Sequence, residues 1–149
     1  MYARLTVGPD GATGLEDYDR AMLWALRCVA AGRLDCPSLR RAFVDLCGRT
    51  ADQMLCGLLV LVRLLAERSP DGLRLHLPGS SVMSRDERAI LTALAALRDE
   101  CGADTAVSGL ADHLGGSADG QLRGAVRYLA ELMAGDAAAS RPAPIHTVH

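Results

Sequence analysis

The chain has 149 residues, half of them hydrophobic and 23% charged, which is enough for one domain with its own core and too apolar for a disordered chain. A formal net charge of −2 supplies no global attraction for nucleic acid or an anionic membrane, and no apolar run approaches the ~20 residues needed to span a bilayer. All 16 basic residues are arginine; the bias toward Ala, Gly, Leu and Arg runs the whole length, so it reads as codon usage rather than as a phosphate-binding face.

Tyr2 to Val7 alternates apolar and polar side chains and is followed by Pro9-Asp10-Gly11, the pattern of a short strand and a turn. From Leu15 to Ala31 the period changes: Leu15, Tyr18, Met22, Leu26 and Val29 recur at helical spacing, which predicts a first amphipathic helix stopped at Gly32. Leu23 and Trp24 widen its stripe beyond one packing face. Pro37 suits a first helical turn, and Leu39, Phe43 and Leu46 mark the inward line of a second helix ending at Gly48, with Val44 off that line.

Thr50 and Gln53 have the spacing of a capping box and predict a third helix. Its apolar residues from Met54 to Leu65 cover nearly the whole circumference, so it should be central, with neighbours on several sides. Between Pro70 and Ser81 the period becomes two: Leu73, Leu75 and Leu77 alternate with Arg74 and His76, predicting a strand that pairs with Tyr2–Val7 as a two-stranded ribbon.

A second capping box, Ser84 with Glu87, opens a fourth helix on Ile90, Leu91, Leu94 and Leu97, closing near Gly102. Asp104 or Thr105 opens a short fifth on Val107, Leu110, Ala111 and Leu114, halted by Gly115-Gly116. Ser117 caps the sixth, with Leu122, Val126, Leu129 and Leu132 or Met133 inward and Asp119–Arg123 and Arg127–Glu131 as outer i,i+4 pairs. Residues 136–149, with Pro142 and Pro144, read as a flexible tail. The expected fold is all-α: one domain over residues 1–135, a compact bundle of about six helices around a central buried helix, carrying a small β ribbon.

Five cysteines, Cys28, Cys36, Cys47, Cys56 and Cys101, contain no CxxC knuckle, so scattered buried thiols are expected and no metal site. Nothing near Met1 has the basic flank and apolar region of a secretory signal, and the expected compartment is the reducing cytoplasm of a bacterium. Most acids are aspartates at helix starts and turns, where capping explains them. His76 alternates with leucines, and His146 and His149 fall in the tail. His113 follows Asp112 near a helix end; a carboxylate-oriented base would look like this, but a cation at a helix C-terminus accounts for it more simply. GxSxG, GxxxxGK[ST] and HExxH are absent, so no catalytic residue, cofactor or metal ligand is assigned and nothing recommends an enzyme.

Asp104 to Met133, a short helix, a glycine turn and a longer helix, resembles a bacterial helix-turn-helix reader, with Ala111 where the two helices pack closely and Gly115 four residues on in the turn. That resemblance implies that Gln121, Arg123 and Arg127 reach bases or phosphates. Against it, Ser84 to Gly135 holds five arginines and eight acids, a net −3 that repels the phosphate backbone. The leading reading is a cytoplasmic protein-interaction or regulatory module without catalytic activity or cofactor, homodimeric and with an unidentified protein partner, its interface at Leu23, Trp24 and Val44. The alternative is a helix-turn-helix DNA-binding transcriptional regulator using residues 104–133.

Overall fold

The computed structural model describes residues 17–98, 102–116 and 118–140, the last five by their backbone alone. The protein is all-α. Asp17 and Asp19 stand in the first turn of α1 (Asp17–Ala30), where the helix dipole favours them. The chain leaves α1 through Gly32 at φ 74°, where the Arg33 N–H returns to the Cys28 carbonyl at 2.8 Å, the closing bond of a Schellman end that needs a residue without a Cβ.

Pro37 opens α2 (Pro37–Cys47), which buries Leu39, Phe43 and Cys47. A 3-10 turn at Gly48–Thr50 leads into α3 (Ala51–Arg68). The expected capping box does not form here. Thr50 is not extended, with φ −91° and ψ 6°, and its hydroxyl turns back to donate to the Cys47 carbonyl at 3.0 Å. α3 buries Ala51, Met54, Leu55, Gly57, Leu58, Leu61, Val62 and Leu65 against α1, α2 and α6. It is not apolar all round, however, because Gln53, Cys56, Val60, Arg63 and Glu67 form an exposed stripe at helical spacing.

The second capping box forms as expected at the start of α4 (Arg85–Arg98). Ser84 Oγ accepts the Glu87 N–H at 3.0 Å and Glu87 Oε2 accepts the Ser84 N–H at 2.9 Å. α5 (Gly102–Leu114) packs against α4 on Ala106, Val107, Leu110 and Ala111, then ends at Gly115, φ 75°, with the Gly116 N–H bonded to the Ala111 carbonyl. α6 (Gly120–Ser140) is capped by Asp119, whose Oδ1 accepts the Leu122 N–H at 2.9 Å. Ser117, the expected cap, lies outside the described residues. Leu122, Val126, Leu129 and Met133 are buried, and the helix runs five residues into the expected tail.

No strand is present among the described residues. Residues 73–76 do alternate, with Leu73 and Leu75 half-buried and Arg74 and His76 exposed, but Leu77, the third leucine of the expected strand, is exposed and the segment makes no ladder. The Arg74 N–H goes to Asp86 Oδ2 and the His76 N–H to Glu87 Oε1, both at 2.7 Å, so carboxylates of the first turn of α4 take the place of a partner strand. The other half of the expected ribbon, Tyr2–Val7, lies outside the described residues.

Candidate functional site

The connection between α3 and α4, residues 69–84, is long for two packed helices and irregular, yet it is held from inside. Arg27 of α1 is 3% exposed and Glu87 of α4 is 0% exposed. The guanidinium is bidentate on the carboxylate, Nε to Oε1 at 2.9 Å and Nη2 to Oε2 at 3.0 Å. It also donates from Nη1 to the Ser80 carbonyl at 2.8 Å and from Nη2 to the Val82 carbonyl at 2.7 Å. The turn at residues 77–82 is thereby pinned onto α1 by a buried fork.

One helical turn before Arg27, the half-buried Trp24 lines an open cleft of about 540 Å³ together with Ala21, Arg20 and residues 79–81. Leu77 and Val82, where the chain enters and leaves this turn, are 72% and 56% exposed. A large aromatic and a concave surface thus adjoin a turn that Arg27 ties down and that is flanked in sequence by two exposed aliphatic side chains.

Of the residues expected at a partner interface, Leu23 and Trp24 both line this cleft, although Leu23 is only 1% exposed because α1 is packed by α2, α3 and α4. Val44 does not line it and is 55% exposed on α2. Leu77 is expected only as the third leucine of a strand and Glu87 only as half of a capping box, while Val82 and the pairing of Arg27 with Glu87 are not foreseen in the sequence. The available signal for the fork was a single arginine among apolar residues 22–29, at a position a solvent-facing charge would not occupy.

On α6, Gln121, Arg123 and Arg127 are all exposed. Gln121 Oε1 accepts from Arg68 Nη2 at 3.0 Å, and Arg68 Nε pairs with Asp119. This tie replaces the expected Asp119–Arg123 pair and fastens the start of α6 to the end of α3. The Arg68 guanidinium, helped by the Leu122 N–H, holds the Asp119 carboxyl below the usual carboxylate range. Neither i,i+4 pair forms among the described residues.

His113 does find a carboxylate, but it is Asp86 of α4 rather than its neighbour Asp112: Nε2 meets Oδ1 at 2.6 Å. Burial pushes the Asp86 carboxyl up, and the Arg74 N–H and His113 outweigh it, leaving it below its ordinary value. Of the described thiols Cys28 and Cys47 are buried and Cys36 partly so, but Cys56 is exposed on the α3 stripe, which departs from the expectation of buried thiols. Burial, then Cys36, pushes the Cys28 thiol up. Among the described residues no three His, Cys, Asp or Glu side chains are grouped to hold a metal, and no helix is long and apolar enough to cross a membrane. Compared with protein-family models, with curated proteins and with solved structures, the chain matches none.

Proposed function

We propose that the protein is a protein-interaction or regulatory module without catalytic activity, homodimeric through the face around Trp24, Leu77 and Val82. The observation that carries this reading is the exposure of Leu77 and Val82 on a turn that a buried ion pair holds in one conformation. Apolar side chains displayed by a preordered loop lose little conformational freedom on association, and tryptophan beside them is a common anchor of binding energy. The other large exposed apolar side chains, Val44, Val60 and Tyr128, stand on helix surfaces and not beside this cleft. Within this reading the architecture is a bundle of six helices around α3, and the free state of the described cysteines suits a reducing cytoplasm.

Light scattering at micromolar concentration tests it. The wild-type protein is expected at twice the chain mass, and Leu77→Asp at the monomer mass with unchanged helical circular dichroism, since a side chain so exposed contributes little to the core. A monomeric wild type defeats the homodimer. Trp24→Asp is the weaker variant because Trp24 also packs against the core cluster.

A second reading, a helix-turn-helix regulator, is favoured by one feature: Arg123 and Arg127 are exposed one turn apart on α6 and form no ion pair among the described residues. Gln121 is engaged by Arg68 and the acid excess of the segment opposes approach to DNA. Salt-dependent binding to a duplex, lost in Arg123→Gln/Arg127→Gln, would favour it over the interaction module.

A further inference from the structure

The turn beside the Trp24 cleft also carries a place for backbone pairing. Val82 is in an isolated β-bridge whose other residue is not among those described. Asp17, the first residue of α1, is itself on the cleft wall, together with Trp24 and residues 79–81. Residues 1–16 therefore join the body at the mouth of this cleft. Within them Ala3, Leu5 and Val7 alternate with Arg4 and Thr6, so a strand over Tyr2–Val7 has one apolar face. Residues 8–16, with Gly8, Gly11 and Gly14, extend up to about 30 Å, long enough to bring that strand back across a cleft of about 540 Å³.

We propose that Tyr2–Val7 of the same chain pairs with Val82 as a strand and closes over the Trp24 cleft, a strap that competes with a second copy for this face. Strand addition of this kind takes its affinity from main-chain hydrogen bonds and its specificity from alternate side chains, here Ala3, Leu5 and Val7 against Trp24 and the turn. The segment holds neither Gly nor Pro and includes Thr6 and Val7, which suits an extended backbone. Tethered by residues 8–16, it meets the cleft at an effective concentration of order millimolar, well above a second copy at micromolar concentration, so the face fills first from its own chain. Only the competition rests on the homodimer reading; the strap itself does not.

Trp24 is the chain's only tryptophan, so its fluorescence reads the cleft alone. The test uses the full chain at dilutions where sedimentation velocity finds a monomer. Leu5→Asp/Val7→Asp should shift the Trp24 emission to the red and raise its quenching by acrylamide, with unchanged helical circular dichroism. Arg4→Asp/Thr6→Asp, on the other face of the strand, should do neither. At higher concentration Leu5→Asp/Val7→Asp should dimerise about tenfold more tightly or better, because neither copy has to open first. Emission and quenching that stay as in the wild type, or that respond alike to both pairs of substitutions, would overturn the strap. A weaker dimer in Leu5→Asp/Val7→Asp would overturn it as well, by making the segment a contact to the second copy. The expected fluorescence change in a protein that is monomeric at every concentration would uphold the strap and defeat the homodimer.

Discussion

Arg27 and Glu87 illustrate how much one side chain can organise when its hydrogen-bonding capacity is matched. The guanidinium donates four bonds, and each carboxylate oxygen accepts from Arg27 and from one backbone amide. A buried pair gains little over an apolar pair of the same shape, but removing one member leaves a bare charge in the interior. Arg27→Ala would strand the Glu87 carboxylate and the Ser80 and Val82 carbonyls together, so a loss of about 3–5 kcal/mol is expected by urea denaturation. A loss below about 1 kcal/mol would mean that water replaces the guanidinium and that the turn at 77–82 is not held by it. The double variant Arg27→Met/Glu87→Met should recover only part of the loss. The His76 and Ser84 amides would still lack their acceptor. Glu87 was legible as half of a capping box because that motif is local; its second task was not, because the partner is 60 residues away.

At the scale of the helices, α3 and α6 approach closely at Gly57. A Cβ there would stand 2.7 Å from Leu129 Cδ2 and 3.4 Å from Tyr128 Cδ1. Leu129 is 0% exposed in the packed core, so its side chain can yield only by displacing its neighbours. Gly57→Ala therefore sets a helix-propensity gain of about 1 kcal/mol against overpacking of about 1–3 kcal/mol, and net destabilisation is expected. Gly124→Ala, on the open side of α6 where a Cβ meets nothing within 4 Å, should be stabilising by about 0.5–1 kcal/mol. Equal effects of the two substitutions in chemical denaturation would show that the α3–α6 contact is looser than the geometry implies. The helices themselves were readable, since their buried faces repeat at 3.6 residues: Met22, Leu26 and Val29, or Leu122, Val126, Leu129 and Met133. What misled was alternation without a ladder. Leu73 and Leu75 turn inward and Arg74 and His76 outward as in a strand, but hydrophobic period reports which side chains are covered, not where the amides find acceptors. The Thr50–Gln53 pattern failed for a related reason, because the 3-10 turn before α3 had already aimed the hydroxyl at Cys47.

Across the whole molecule, the Arg27–Glu87 fork joins α1 to α4 and carries the turn that displays Leu77 and Val82, so fold stability and the proposed assembly share one device. This sharing makes the two separable by a conservative change. Lysine at position 27 keeps the positive charge opposite Glu87 but offers a point charge in place of a planar fork, and cannot serve the carboxylate and both loop carbonyls in the same geometry. Arg27→Lys should therefore remain folded and helical while residues 77–82 lose their fixed conformation in the free protein. Association would then have to order that loop, at about 0.5–1.5 kcal/mol for each side chain immobilised, which for Leu77 and Val82 together corresponds to a roughly tenfold weaker dimer. Sedimentation velocity over a concentration series measures that shift, and hydrogen exchange at the Ser80 and Val82 amides measures the loosening independently. A variant whose loop exchanges faster but whose dimer is as tight as the wild type would separate loop rigidity from assembly, leaving Trp24 and its cleft as the part of the face that matters.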